Sequence, residues 1–443
     1  MKLGVAVMSK YVQTIRGVVN FEITNDFANH LGAVLGNYIG PGKRVVVGRD
    51  LNVPSQMIKR SITTGLMSAG VDIIDFGVAP IPVIHYNCDF YNANVIITIS
   101  KSHLRRDEVD IKIFSDHEIP LDTRHAEKVP WNQIGILRYV HEYREQYIKA
   151  VLKHINSDLI SNKAFLIVLD NDEGTNVPFT PQILKEVNCE TVIVGHREGE
   201  LDSDFALPNP KRISLVSDLT TAIGADMGIL LDNDRDRVVF IDSLGNVIRD
   251  QTILAIFAKY ALEEHPGGNI VSSVVASLSL DGIVSDEGGN LIKTSVNNVL
   301  NEIDDSNAIF GGDEPGMYVF PELHNCFDAI FSVLKMLEIL AKKDTTLSNL
   351  ASEITEYNRT IFTIECENEK KEEVIDAFTT MFIPENHINR ITTVDGVRID
   401  LEDSSILIRP SRFEPLIRAY IESKSAQKLQ KLTESVKMII MTV

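Results

Sequence analysis

The stretch LLDNDRDRVVFID, residues 231 to 243, sets Asp232, Asp234 and Asp236 at alternate positions between two apolar runs. Carboxylates this close repel one another, which raises their pKa values unless a cation joins them. Oxygen donors with no His or Cys beside them suit Mg2+ or another hard ion better than zinc. An EF-hand opens with the same alternation, but it needs Gly at its sixth position and Glu at its twelfth, where this chain has Arg237 and Ser243. A solvated acidic turn is the plain alternative. Arg235 and Arg237, interleaved with the acids, speak against it, as expected where a metal and an anion share one loop.

Mg2+ held by protein oxygens usually also touches phosphate, so other anion-handling segments are expected. ITISKSHLRRDEVDIKIF, residues 97 to 114, leaves an apolar strand for a loop with Ser100, Lys101, Ser102, His103, Arg105 and Arg106. A serine beside histidine and several cations suits a phosphorylated nucleophile, although an exposed basic turn would read the same. FGGDEPGMY, residues 310 to 318, presents Asp313 and Glu314 on a Gly-rich turn. Carboxylates accept hydrogen bonds from sugar hydroxyls, and paired glycines allow close approach. IRPSRFEPLIRAYIE, residues 408 to 422, carries Arg409, Ser411, Arg412 and Arg418, which suit a phosphate clamp built from charge-assisted hydrogen bonds.

These loops need rigid elements behind them. Short β-rich runs recur (KRVVVGRD, NVIITIS, AFLIVLDN, TVIVGH, MGILLDN, VVFID, NIVSSVV), separated by helix-like stretches such as PSQMIKRSITTGLMSAG and DQTILAIFAKYALEEH. That alternation predicts α/β layers with largely parallel sheets and active residues on the loops after strands. At 443 residues the chain exceeds the ~250 to 300 over which one core grows, so three or four domains are expected. Boundaries fall near residue 150, after the polar, helix-like ILRYVHEYREQYIKAVLKHI, near 246, after the strand pair VVFIDSLGNVIRD, and near 356, after the charged helical LEILAKKDTTLSNLASEITEYN. The formal charge of -19 opposes binding to nucleic acid or anionic membranes, so an anionic ligand must be held by local cations. Four dispersed cysteines form no C-x-x-C, and no apolar run reaches the ~18 to 20 residues of a membrane span. With no signal-peptide pattern in MKLGVAVMSKY, a cytoplasmic protein is expected, monomer or homo-oligomer.

Taken in order, the four loops resemble those of the α-D-phosphohexomutase superfamily, which includes phosphoglucomutase, phosphomannomutase and phosphoglucosamine mutase. Its members carry a T-A-S-H-N-P serine loop, a D-G-D-A-D-R metal loop, a G-G-E-x-S-G sugar loop and an R-P-S-G-T-E-P phosphate loop. The resemblance extends through IRG at 15 to 17, VVVGRD at 45 to 50, GVAPIP at 78 to 83 and ADMGILLDNDRDRVVFID from 225.

It implies three related α/β domains plus a smaller C-terminal α+β domain around a central cleft: 1–149 with the phosphoserine loop, 150–245 with the metal loop, 246–355 with the sugar loop and 356–443 with the phosphate loop. It implies a Mg2+-dependent isomerase that interconverts hexose 1-phosphate and 6-phosphate through a phosphoserine and a bisphosphate intermediate, with a sugar 1,6-bisphosphate as activator. Counting back from Ile111 by the family's spacing lands on Ser102 as the phosphoserine, and His103 then matches the family's His. Lys112 falls at a proposed general acid/base, a role that suits a lysine whose pKa is depressed by burial or nearby cations. Arg16 matches an arginine near the phosphoserine and Arg237 closes the metal loop. Ser102, Asp232, Asp234 and Asp236 would ligate the metal.

The loops also depart from the pattern. Leu104 and Arg105 replace Asn and Pro, Asn233 and Arg235 replace Gly and Ala, Arg412 and Phe413 replace Gly and Thr, and the family's T-x-V-G reads TSVN with Asn297 for Gly. Asp313 stands for the sugar-loop Glu, while an alignment with one gap puts Glu314 there; both stay open. These changes keep two alternatives in view, a phosphopentomutase and a catalytically weak sugar-phosphate-binding relative. A Ca2+-binding structural protein has only the aspartate loop in its favour.

Overall fold

The computed structural model describes residues 11–93, 95–102, 105–121, 126–171, 179–195, 210–383, 387–411 and 414–441. Two compact units result, Met1–Ile248 with Met317–Asn349, and Arg249–Gly316 with Leu350–Val443.

In the first unit, six strands form one sheet: β1 (Tyr11–Val18), β2 (Arg44–Arg49), β3 (Asp72–Val78), β4 (Val95–Lys101), β5 (Glu108–Ser115) and β6 (Leu137–Tyr139), in the order β1-β5-β4-β2-β3-β6. Pairings among β4, β2, β3 and β6 are parallel, while β5 runs antiparallel to both β4 and β1. Alternation along β5 decides its two faces. Val109, Ile111 and Ile113 enter the core with Val45, Val47, Ile97 and Ile99, while Glu108, Asp110 and Lys112 fall on the opposite face. Each fully buried aliphatic contributes ~1.5 to 3 kcal/mol. The same core takes Leu31 and Leu35 from helix Asn25–Ile39 and Ile58, Ile62 and Leu66 from helix Val53–Ser68. These two helices meet backbone to backbone. A Cβ added at Gly32 would lie 2.2 Å from the Ile62 carbonyl oxygen, and one at Gly65 2.0 Å from that of Asn29.

A second sheet of this unit takes β7 (Leu166–Asn171), β8 (Glu190–Val194), β9 (Met227–Leu231), β10 (Val238–Asp242) and β11 (Val247–Ile248), in the order β11-β10-β9-β7-β8. β7 pairs parallel with β8 and β9, and β10 runs antiparallel to β9 and β11. The expected Gly turn between β10 and β11 is present: Gly245 sits at φ +83° and Asp242 Oδ1 accepts from the Leu244 and Asn246 amides. The returning segment adds helix Ala329–Lys343, capped by Asp328, whose Oδ1 accepts from Phe331 N.

The second unit holds three parallel strands, Asn269–Ser273 flanked by Asn290–Thr294 and Phe310–Asp313. It also holds an entirely antiparallel five-stranded sheet in the order Asn358–Glu365, Leu416–Ser423, Ser404–Pro410, Val397–Asp400, Arg390–Thr392, backed by helices Lys371–Phe382 and Ala426–Met441. The expectation of largely parallel sheets therefore holds in the interiors of three sheets, fails at the antiparallel margins of the first two and fails throughout the last.

Two helical expectations change as well. Residues 136 to 155 open with β6, paired to β3, because the Ile136 amide is taken by Asp72 Oδ1; the helix starts only at Tyr143. The charged stretch before residue 356 breaks at Asp344, which adopts φ +51°, into helices Ala329–Lys343 and Leu347–Ser352. All four cysteines are free thiols, and among the described residues no helix is long and apolar enough to cross a membrane.

Candidate active site

In the first unit the polar face of β5 meets the aspartate loop. The loop bridges the antiparallel pair β9 and β10, with the Asp232 amide donating to the Arg237 carbonyl and Asp232 Oδ1 accepting from the Asp236 and Arg237 amides. Asp232, Asp234 and Asp236 are all buried. Lys112 Nζ lies 2.6 Å from Asp234 Oδ2 and 3.1 Å from Asp236 Oδ2, and Ser100 Oγ donates to Asp234 Oδ2 at 3.1 Å. Strands β4 and β5 thus contact a loop more than a hundred residues away, and hold it by charge.

Burial and the repulsion of Asp236 push the Asp232 carboxyl well up, and burial raises Asp234 against the pull of Lys112. One ammonium does not balance three buried carboxylates. Asp232, Asp234 and Asp236 are all-oxygen donors short of positive charge, and are the residues here that could hold a hard dication.

Lys112 differs from the sequence expectation in its charge state. Burial would lower its pKa, but Asp234 and Asp236 overcome that and raise it, so the group is held as an ammonium. Arg235 also differs. Its side chain is buried at φ +61°, donating to the Asp232 carbonyl and, at 3.0 Å, to Asn171 Oδ1, so it fastens the loop rather than offering an anion its charge. Arg237 keeps a looser ion pair, Nε to Asp236 Oδ1 at 3.9 Å.

Ser102, one residue beyond β4, is buried, and its Oγ donates to Glu108 Oε2 at 3.4 Å while its amide bonds the Glu108 carbonyl. Ser100 is therefore the serine seen in direct contact with an aspartate of the loop, with Ser102 about 7 Å further along the chain. Arg16 forms a two-pronged pair with buried Asp110, at 2.6 and 2.7 Å, directly across the β1–β5 register. Asp50 underpins the serine loop by accepting from the Lys101 amide at 2.8 Å. His103 lies outside the described residues. Glu108 and Asp110 went unnoticed in the sequence, although the period-two alternation E-V-D-I-K-I-F that places Lys112 places them on the same face.

In the second unit the two sugar-loop acids separate. Asp313 Oδ1 accepts from Ser273 Oγ at 2.5 Å and from the Glu314 amide at 2.8 Å, within the end of its sheet. Glu314 instead lines a cavity of about 490 Å³ with Arg249, Asp250, Gln251, Arg359 and Tyr420. Arg359 pairs with Glu314 Oε2, donates to Gln251 Oε1 at 3.2 Å and to the Val275 carbonyl at 2.9 Å, and lies 5.4 Å over the Tyr420 ring. Glu314 Oε1 meets no hydrogen-bond donor among the described residues. Burial pushes the Glu314 carboxyl up to about 8, Arg359 pulling against it and Asp250 adding to it. Arg359 was missed in the sequence; its signal was a lone arginine at the start of an alternating strand.

Also in this unit, Arg409 and Arg418 stand directly opposite each other on antiparallel strands. Like charges there repel, and each has an acidic partner: Asp395 Oδ2 at 2.6 Å from Arg409 Nε, and Glu414 for Arg418. Ser411 is buried, with Oγ accepting from the Glu414 amide at 3.3 Å. Buried Lys371, also missed, fastens this turn by donating to the Ser411 and Glu414 carbonyls at 2.6 and 2.7 Å. Arg412 lies outside the described residues.

Comparison with known proteins finds matches along nearly the whole chain. Models of phosphoglucomutase/phosphomannomutase match in four successive pieces: alpha/beta/alpha domain I over residues 8–131, domain II over 145–245, domain III over 249–357 and the C-terminal domain over 363–438. The chain belongs to the phosphoglucomutase/phosphomannomutase family, has its four-domain α/β architecture, and is an isomerase of the intramolecular phosphotransferase class. Among its relatives, a probable phosphoglucosamine mutase of Pyrococcus abyssi is 30% identical, covering 98% of each chain. A phosphoglucomutase/phosphomannomutase of Thermococcus kodakarensis is 30% identical over 95% of each. A crystal structure of a phosphoglucomutase/phosphomannomutase family protein from Burkholderia thailandensis shares the fold, with a TM-score of 0.85, 21% identity and 98% of each chain covered.

Proposed function

We propose that this chain is a Mg2+-dependent phosphosugar mutase that interconverts hexose 1-phosphates and 6-phosphates, with glucosamine phosphate as its first candidate substrate. The observation that carries the reading is the junction of Ser100 and Lys112 with Asp234, which brings the serine strand against the aspartate loop. The name of the Pyrococcus relative supports the amino sugar. Ser102 is assigned as the phosphoryl carrier, primed by a sugar 1,6-bisphosphate. Bound Mg2+ would neutralise charge on the phosphoryl group in transit.

The chain's own groups do the rest. Asp232, Asp234 and Asp236 hold the metal charge in place. Lys112, an ammonium while it pairs with two of them, supplies fixed positive charge and is the candidate to pass a proton to or from the sugar hydroxyl. Arg237 adds charge beside Asp236, and Arg16, oriented by Asp110, faces the same side of the sheet as Ser100. Glu314 is assigned to the sugar hydroxyls, with Asp313 supporting its loop from Ser273. Arg409, Ser411 and Arg418 are assigned to the phosphate that does not react. The chemistry suits a reducing cytoplasm and phosphorylated sugars as partners.

A panel of glucose, mannose and glucosamine 1-phosphates and ribose 1-phosphate, incubated with Mg2+ and a sugar 1,6-bisphosphate, tests this. Formation of a hexose 6-phosphate that needs both additions is expected. Ribose 5-phosphate as the sole product would make the chain a phosphopentomutase. No product from any member would overturn the mutase reading in favour of a sugar-phosphate binder.

A further inference from the structure

A second set of metal-type donors lies in the first unit, apart from the carboxylates above. His85, on helix Ile81–Cys88, meets His324 and Cys326, on the segment that leads into helix Ala329–Lys343. One ligand atom from each, a ring nitrogen from either histidine and Sγ of Cys326, lies within 4.8 Å of the others. His85 and Cys326 are 5% and 2% exposed, so solvent does not account for a polar cluster here.

The partner of His324 is of the kind that stands behind a ligating histidine. Asp328 Oδ2 sits 2.9 Å from His324 Nε2 and is itself held by the Tyr147 hydroxyl at 2.7 Å. A carboxylate behind one ring nitrogen fixes the tautomer and turns the other toward a metal. That other atom, His324 Nδ1, is buried and meets no hydrogen-bond partner among the described residues. Leaving a buried imidazole nitrogen in this way is costly, and a bound cation would offset the cost.

We propose that His85, His324 and Cys326 bind a zinc ion through two nitrogens and one sulfur, with a fourth position for water. Two imidazoles and a thiolate suit Zn2+ and not Mg2+. Zn–N bonds of ~2.0 to 2.1 Å and a Zn–S bond of ~2.3 Å put ligand atoms roughly 3.3 to 3.7 Å apart, so the cluster contracts by about 1 Å on binding. Zinc displaces the Cys326 thiol proton, which leaves to solvent, against the burial and the Asp328 charge that hold that thiol protonated. The ion fastens two elements that both hold the aspartate loop. The Ile81 amide, at the start of the His85 helix, donates to the Asp234 carbonyl at 3.1 Å, and the Ala329 amide, just past Cys326, donates to the Arg235 carbonyl at 2.9 Å. Zinc here is a clasp on that loop, and its binding does not depend on which sugar phosphate the enzyme uses.

The test uses the full chain, stripped with chelator and titrated with Zn2+ in the presence of excess Mg2+. Metal content after dialysis is expected at about one Zn2+ per chain, with a thermal midpoint raised by roughly 3 to 5 °C when zinc is at about 100 times its dissociation constant. Cobalt in its place is expected to show thiolate-to-metal charge-transfer absorption. Cys326→Ser, nearly isosteric, should lose that absorption and at least tenfold in zinc affinity, as should His324→Gln. Asp234→Asn should keep both, which separates this site from the aspartate loop. Cobalt bound without a thiolate band, zinc retained by Cys326→Ser, or zinc lost with Asp234→Asn would each overturn the proposal; the cobalt spectrum needs no variant to fold.

Discussion

Glu314 gives the sharpest quantitative test. Its carboxyl titrates at about 8 in the folded chain against 4.5 for an unperturbed glutamate, chiefly because of burial. Between those values the native state holds a proton that the unfolded chain has released, so stability falls as pH rises, by about 1.36 kcal/mol per pH unit. The contribution is fully present below about pH 4.5 and is lost by about pH 8, a span of ~5 kcal/mol, and no less than ~3 if the folded value is high by one unit. Glu314→Gln keeps the shape and cannot ionise, so the wild-type curve minus the variant curve isolates this group. The single tryptophan, Trp131, lies in the other unit, so unfolding should be followed by backbone hydrogen exchange of residues 249 to 316 at several pH values. A wild-type-minus-variant difference that stays flat within ~1 kcal/mol from pH 5 to 8 would refute the reasoning and mean that Arg359 keeps Glu314 ionised. If Glu314 also serves the sugar hydroxyls, the same substitution raises KM more than it lowers kcat.

Three further outcomes are expected. Intact-mass measurement after exposure to a sugar 1,6-bisphosphate should find a phosphate adduct on the wild type and Ser100→Ala but not on Ser102→Ala; the reverse pattern would move the phosphoryl carrier to Ser100. Asp234→Asn removes the negative charge that Ser100 and Lys112 share and should lower kcat by ~10² to 10³, the usual scale for one preorganised electrostatic group. Turnover within threefold of wild type would remove Asp234 from the chemistry. Gly65→Ala drives a methyl into the Asn29 carbonyl and should destabilise the first unit by ~1 to 3 kcal/mol, whereas Gly282→Ala, with nothing within 4 Å on helix Leu278–Asp286, should stabilise the second by ~0.5 to 1 kcal/mol; thermal scans and hydrogen exchange distinguish them.

The aspartate loop was legible in the sequence because its carboxylates are neighbours along the chain and the strands on either side declare themselves by uninterrupted apolar runs. Strands β2, β4 and β7 to β10 were legible for the same local reason. What depends on distant segments meeting was not. The sequence does not say that Asp110 takes Arg16, that two aspartates keep Lys112 charged, or that Ser100 reaches Asp234 while Ser102 faces Glu108. The choice between Asp313 and Glu314 also needed three dimensions: adjacent in sequence, they point to different neighbours, and Glu314 is the one that lines a cavity. Residues 136 to 142 misled because ILRYVHE runs on into a helical pattern, and only its pairing with the distant β3 makes it an edge strand.

The Lys112 ammonium bridging Asp234 and Asp236 acts as a resident placeholder for the cation. If these carboxylates hold the proposed Mg2+, an incoming dication would compete with a tethered cation that cannot diffuse away, so apparent metal affinity would be weaker than the bare carboxylates would give. Without the dication, the same ammonium offsets part of the loop's own repulsion. Metal occupancy and the freedom of that lysine are then two readings of one equilibrium.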